Sequence, residues 1–193
     1  MPSGGFPLAA PQAHAGERVI KQVFDGDLRI DRISGNCEVI LESRHGSIIV
    51  ADQVGEYAHV SLKAAKDVII DRGIGRHSLV QIVSGGDVVV GQQIGENSQL
   101  AITSTGGQIG NGPAERGRST TRPNAETTVH IGGDICQHSS AKITAQNDVT
   151  IDGGIRQHAN LDIISLHGTI IIGHGIGESA VALVTAGRAV RVG

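Results

Sequence analysis

A short strand pattern recurs along the chain at a nearly constant interval. Segments such as DLRI, GSIIV and DVTID each carry two apolar residues two positions apart. The first apolar residues of the successive segments are separated by 20, 20, 20, 41, 20, 21 and 20 positions: Leu28, Ile48, Val68, Val88, Val129, Val149, Ile170 and Val190. So regular a recurrence indicates a repeat architecture in which each repeat stacks on its neighbours.

Two further elements recur in a fixed order within each repeat. An Ile or Val followed by mostly polar or glycine residues comes after the strand, as in Ile74-Gly-Arg. A run with period two follows, as in Ser78-x-Val80-x-Ile82. Because period two sends alternate side chains to opposite faces of a strand, we expect about three short strands and three corners in each repeat.

The repeat predicts an all-β fold, a single parallel β-helix (β-solenoid) of about eight coils of 20–21 residues. Strands of successive coils pair about 4.8 Å apart, so eight coils form a rod roughly 35–40 Å long. The composition agrees, with 28 Gly but only two Phe, one Tyr and no Trp. A thin core between stacked strands is filled by small and β-branched side chains and needs little aromatic bulk.

One interruption divides the repeat pattern. We expect residues 1–26 to form an amino-terminal segment or partial first coil, and residues 27–193 to form the solenoid. The 41-residue step predicts a polar loop at about 108–127 that leaves one corner of a continuous rod. The alternative is a degenerate extra coil that uses Gln108 and Ile109.

Charge and cysteine content bear on the binding partners and the cellular compartment of the protein. The formal charge of −3 lacks the basic footprint of a nucleic-acid binder. Cys37 and Cys136 fall at non-equivalent places in the coil, which predicts two free thiols and a reducing compartment. No signal peptide and no apolar run of about 20 residues is visible, so we expect a cytoplasmic protein, with nothing in the sequence to indicate membrane contact.

Equivalent positions of successive coils stack into columns, and each column is a candidate surface. One column admits two interpretations, a corner where Asn and His tolerate an unusual backbone or, less favoured, a metal pair formed by His138 and His158. Its members are Asn36, Tyr57, His77, Asn97, His138, His158 and Ser179.

A second column places Asp27, Asp67, Asp87 and Asp148 at the start of the recurring strand. Stacked carboxylates can bind calcium, but the nonapeptide GGxGxDxUx of calcium-binding β-helices is absent. We therefore expect these residues to accept hydrogen bonds from corner amides. No Ser/His/Asp or Cys/His set recurs, so the sequence predicts no catalytic residues, no metal, no cofactor and no enzymatic activity.

The outward-facing middle residues of the recurring strand form a third column, which is largely apolar at its centre. Strand propensity alone accounts for β-branched residues here, and a surface for lateral association accounts for them equally well. On the second interpretation the lateral interface comprises Ile49, Ile69, Val89 and Ile171, and Arg29 and Arg191 stand at the two ends of the column.

The two ends of the predicted rod are a further candidate surface. The sequence stops in mid-repeat at AVRVG (189–193), and only about 20 residues precede the first strand. Because an open solenoid end presents unpaired strand edges, we expect end-to-end contact between copies through Leu28, Ile30, Val190 and Val192.

The segment GGIRQHANLDIISLHGTIIIGHGIGESAVALVTAGRAVRVG (153–193) resembles the Gly-rich strand repeats of bacterial polymer-forming β-solenoids, the bactofilins and the related FapA-type domains. The resemblance extends over most of residues 27–193. It implies a right-handed parallel β-helix that assembles without nucleotide into homopolymeric filaments by end-to-end contact.

Two other families share part of the pattern. The units IGENSQ (94–99), VGEYAH (54–59) and IGESAV (176–181) are similar to the hexapeptide repeat of left-handed β-helix acyltransferases, although only one unit per coil is clear. The repeats are also similar to those of haemagglutinin-type adhesins, which are exported proteins. The sequence favours a structural, self-assembling protein that forms filaments or sheets and has further copies of itself as its partner.

Overall fold

A computed structural model of the chain describes residues 20–105 and 129–193. All regular structure in these ranges is β-strand, and the sixteen strands form two parallel sheets of eight. The long-strand sheet contains, in spatial order, β1 (Ile20–Phe24), β3 (Glu38–Ser43), β5 (His59–Ala64), β7 (Leu79–Ser84), β9 (Gln99–Ser104), β11 (Ser140–Ala145), β13 (Asn160–Ser165) and β15 (Val181–Ala186). The short-strand sheet contains β2 (Leu28–Ile30), β4 (Ile48–Val50), β6 (Val68–Ile70), β8 (Val88–Val90), β10 (Val129–Ile131), β12 (Val149–Ile151), β14 (Thr169–Ile172) and β16 (Ala189–Val192).

The third element of each coil is shorter than a strand. A single residue per coil forms an isolated parallel bridge to its equivalents in the neighbouring coils, as Ile74 does with Val54 and Ile94. This residue points into the core, and Val54 and Ile94 are fully buried. Each complete coil therefore has two strands and one bridge, and the last coil, made of β15 and β16, has no bridge of its own in the described residues.

The core lies between the two sheets and the column of bridges. In β7 the even positions Val80 and Ile82 are fully buried and Leu79 is exposed, which is the alternation that period two predicts. Most inward positions carry Val, Ile, Leu or Ala, and these residues form one continuous hydrophobic cluster along the rod. The last inward position of β3, β7, β9 and β13 is instead a buried serine. The predicted β-solenoid of about eight coils is confirmed; its right-handedness stays a prediction.

The sheets continue without a break from coil to coil across residues 106–128. Strand β10 pairs directly with β8, Val129 opposite Val88, and β11 pairs directly with β9, Ser140 opposite Gln99. No further coil therefore separates these strands, and Gln108 and Ile109, the residues of the alternative, lie outside the described residues. The loop predicted at about 108–127 itself lies outside the described residues.

The solenoid also includes residues ahead of the first recurring strand. Strand β1 pairs with β3 from Ile20 opposite Val39 to Phe24 opposite Ser43. These residues belong to the range 1–26 that the sequence assigned to an amino-terminal segment or partial first coil. Together with β2 they complete a first coil.

Candidate functional site

The column of Asn, His and Tyr residues at one corner adopts left-handed backbone. All seven residues have φ between 55° and 57°, which is rare for residues other than glycine: Asn36, Tyr57, His77, Asn97, His138, His158 and Ser179. The interpretation of this column as a corner with an unusual backbone is therefore confirmed.

Rings that are adjacent in this column stack on one another. The ring centroids of Tyr57 and His77 are 4.7 Å apart with an angle of 10° between the planes, and those of His138 and His158 are 5.0 Å apart with an angle of 6°. Parallel, face-to-face imidazoles do not direct their nitrogens at a common point between them. Across the described ranges no group of three or more His, Cys, Asp or Glu residues could hold a metal ion.

The aspartate column binds backbone amides of the next coil. An Oδ1 oxygen of Asp27 accepts a hydrogen bond from the Ser47 N–H at 2.8 Å, and Asp67 does the same for the Asp87 N–H at 2.9 Å. Asp148 accepts from the Thr169 N–H at 2.7 Å. The predicted role is confirmed for these three residues, and it ties each of their three coils to the next one at the start of the short strand.

The outward column of the short-strand sheet is continuous in register from Arg29 to Arg191. Ile49 and Ile69 are half-buried and Ile171 is exposed. Val89 lies in the same column but is only 3% exposed. The accessible apolar area of this face therefore divides into two parts, one at Ile49 and Ile69 and one at Ile171.

The four residues predicted for end-to-end contact divide into two classes. Val190 and Val192 of β16 are 45% and 48% exposed, although their ladder neighbours Ile170 and Ile172 are buried. By contrast, Leu28 and Ile30 of β2 are only 4% and 3% exposed. In the short-strand sheet, the inward side chains of β16 are therefore accessible, and those of β2 are covered.

Sequence reasoning missed part of the exposed apolar surface at the last coil. Ile176 is exposed because it lacks a bridge partner in the coil that follows. Val181 and Leu183 face outward from β15 and are each 63% exposed. The signal was present in the segment VALVTA, which is apolar at both inward and outward positions, as in strands that are buried on both faces.

An open groove follows one corner of the later coils, where glycines leave the backbone bare. The Asp134 carboxylate lies in it, accepting hydrogen bonds from the Gly154 N–H and from the Arg156 guanidinium. Partial burial acts to raise the pKa of Asp134, but these two hydrogen bonds and the charges of Arg156 and His174 outweigh it, and the pKa is lowered. The groove is thus lined by the Asp134–Arg156 ion pair, whose two charges offset each other.

Both cysteines are free. Cys37 is buried and its thiol donates to the Ser34 carbonyl, and Cys136 is half-buried. Burial raises the pKa of each thiol, and the carboxylates of Asp134 and Glu96 add to the effect at Cys136. The raised pKa favours the thiol over the thiolate at both cysteines.

The fold defines the class of this protein as a parallel β-solenoid. Searches for relatives find no matching protein-family model, no similar curated protein and no similar solved structure. No helix long and apolar enough to span a membrane occurs in residues 20–105 or 129–193.

Proposed function

We propose that the protein is a structural, non-enzymatic protein that assembles with further copies of itself into filaments or sheets, by end-to-end stacking of solenoids in the cytoplasm. The observation that carries the proposal is the exposure of β16, in which Val190 and Val192 are about half exposed at positions that are buried in the preceding coil. The resemblance to polymer-forming solenoids supports the same function.

Two features of the last coil, exposed apolar side chains and unpaired strand edges, would favour stacking. Fully burying a Val or Ile side chain contributes about 1.5–3 kcal/mol, so covering the exposed half of Val190, Val192 and Ile176 contributes roughly 1 kcal/mol each. The outer edges of β15 and β16 also present backbone groups with no neighbouring strand in the described chain, and such edges pair readily with another chain. Because association opposes these gains with lost translational freedom, we expect assembly to depend steeply on protein concentration.

Lateral contacts would arise separately, on the outer face of the short-strand sheet. Ile49 and Ile69 form one accessible apolar area and Ile171 another. Rods that stack through their ends and associate through these areas would form bundles or sheets rather than single filaments.

Negative-stain electron microscopy and sedimentation velocity of the purified 193-residue chain test the proposal. The wild type should form filaments at high concentration, and Val192→Lys should abolish them, because a charge then faces the next coil. The matched control is Asn160→Lys, which adds the same charge to an exposed outward position one coil away. Monodisperse wild-type monomers at high concentration would contradict the proposed function.

A further inference from the structure

The inward side chains of the first short strand are covered, although the strand lies at the edge of its sheet. Among the described strands β2 has β4 as its single neighbour. Its inward residues Leu28 and Ile30 are nevertheless only 4% and 3% exposed. Ile33 of the same coil is fully buried, although its bridge partner in the described residues is Val54 alone. The outer side of the first coil is therefore shielded from solvent.

The last short strand shows how much surface a strand with one neighbour leaves exposed. Strand β16 pairs with β14 alone, and its inward residues Val190 and Val192 are 45% and 48% exposed. Leu28 and Ile30 have the same number of described neighbouring strands and almost no exposed surface. Because the described residues do not supply the missing contact, another part of the chain supplies it.

Two parts of the chain lie outside the described residues, and one of them is adjacent to the first coil. Residues 106–128 connect β9 to β10, and each of these is the fifth strand of its sheet counted from the first coil. Four coil steps of about 4.8 Å place that connection roughly 19 Å from the first coil. Residues 1–19, the amino-terminal segment, instead lead directly into Ile20, the first residue of β1.

We propose that the amino-terminal segment caps the first coil, and that its stretch PLAAP (7–11) forms an outermost short strand beside β2. Leu8 and Ala10 stand 20 positions ahead of the two inward residues of β2, and 20 is also the step from β2 to β4. Leu8 also precedes the first inward residue of β1 by 12 positions, the interval between the first inward residues of β6 and β7. In this register Leu8 and Ala10 face the core, and they supply the contact that covers Leu28 and Ile30.

The two prolines of PLAAP suit the outermost position of a solenoid. Proline has no N–H, so Pro7 and Pro11 cannot donate a hydrogen bond to a strand on their far side. Proteins use proline on sheet edges to prevent further pairing, and solenoids need terminal caps of atypical sequence. PLAAP is also uncharged and apolar, which suits a segment that packs on a hydrophobic core.

The cap is a contact within one chain, and it goes beyond the proposed function. It closes the amino-terminal end of the core, so a second copy can use that end only after the segment is displaced. Capping is tested in dilute, monomeric protein, where the absence of filaments has no bearing on it.

An engineered disulfide tests the register of the cap. In a chain with Cys37→Ser and Cys136→Ser, the pair Ala10→Cys and Ile30→Cys should form a disulfide within one chain under oxidised glutathione. Adjacent strands bring their Cα atoms within the roughly 7 Å that a disulfide spans. The matched control replaces Ile30→Cys by Val50→Cys, which is one coil further along the same column and roughly 10 Å from Ala10, and it should stay reduced. Peptide mass spectrometry distinguishes the two pairs, and equal crosslinking of both, or crosslinking of neither, would overturn the cap.

Thermal unfolding followed by circular dichroism tests the energetic role of the cap without new cysteines. Leu8→Lys places a charge on the inward face and should lower the Tm by roughly 4–10 °C, because Leu28 and Ile30 return to about half exposure. Ala9→Lys adds the same charge at the neighbouring outward position and should leave the Tm unchanged. Equal Tm values for the two variants would overturn the proposal, whereas monodisperse protein at high concentration would contradict only the proposed function.

Discussion

Gly91 lies where the backbones of adjacent coils approach too closely for a side chain. A Cβ built on Gly91 comes within 2.2 Å of the Asp71 carbonyl oxygen in the preceding coil, and ordinary contact begins at 3.4 Å. Gly91→Ala therefore requires a shift of about 1.2 Å between coils, the difference of those distances. The shift strains the hydrogen bond from the Gly91 N–H to the Ile70 carbonyl, now 2.8 Å long.

The expected loss of stability follows from two contributions. Overpacking of a tight site costs about 1–3 kcal/mol, and weakening one backbone hydrogen bond costs about 1 kcal/mol. We expect Gly91→Ala to lower the free energy of unfolding by about 2–4 kcal/mol in urea titrations. That corresponds to a Tm lower by roughly 4–16 °C for a chain of this length.

Gly26→Ala is the matched control. No atom of the described residues lies within 4 Å of a Cβ built on Gly26, and neither Gly26 nor Gly91 has a left-handed φ. We expect this substitution to be neutral or to stabilise the protein by about 0.5 kcal/mol, through reduced entropy of the unfolded chain. Equal effects of the two substitutions would refute the reasoning, because only the distance between coils distinguishes the sites.

Three further predictions concern a buried hydroxyl, an ion pair and a lateral surface. Ser98→Ala should lower the free energy of unfolding by about 1–2 kcal/mol, since the buried Ser98 hydroxyl donates to the Gly75 carbonyl at 2.8 Å. Asp134→Asn should destabilise the protein at neutral pH, and unfolding titrations across pH should show the difference from wild type disappearing in acid. Arg156 and a backbone amide hold the folded-state pKa of Asp134 below its ordinary value of 3.8. The Asp134 carboxylate therefore stabilises the fold above that value, and this stabilisation is lost as the pH falls through the folded-state pKa. Ile69→Lys should abolish bundling in electron micrographs and leave single filaments intact, because it places a charge on the lateral surface alone.

Controls for these predictions come from exposed positions of the same sheets. Ser140→Ala, at an outward position, should change stability by less than about 0.5 kcal/mol. Gln81→Lys, on the outer face of the opposite sheet, should leave bundling unchanged.

Bundles that persist with Ile69→Lys would show that the apolar column reflects strand propensity only. An Asp134→Asn effect on stability that grows in acid would refute the ion-pair account.

Much of the fold could be predicted from the sequence because the same contacts between neighbouring coils recur at every step of about 20 residues. Once Leu28 and Ile48 are recognised as equivalent, the strand register, the inward residues and the left-handed corner follow from the 20-residue step. Tyr57 illustrates the argument, since it stands in the column for which an unusual backbone was one of the two interpretations, and its φ is 57°.

Sequence reasoning missed differences in burial between equivalent positions, because burial depends on the residues that pack against a coil from outside the repeat. Val89 has the outward position of its neighbours and yet is buried, and nothing in its own segment distinguishes it from Ile69. Ile30 and Val192 occupy equivalent positions at opposite ends, and only the structure shows that one is covered and the other open. The burial of the first and last strands does not follow the repeat, so the repeat cannot predict it.

The central claim is that the rods stack along their own axis through the last coil. Cryo-electron microscopy of filaments formed by the purified chain, with diffraction from aligned fibres, tests it most directly. We predict a spacing of about 4.8 Å along the filament axis and an axial repeat of roughly 35–40 Å per copy, the length of eight coils. Filaments in which the 4.8 Å spacing runs across the axis, or the absence of filaments at any concentration, would contradict it.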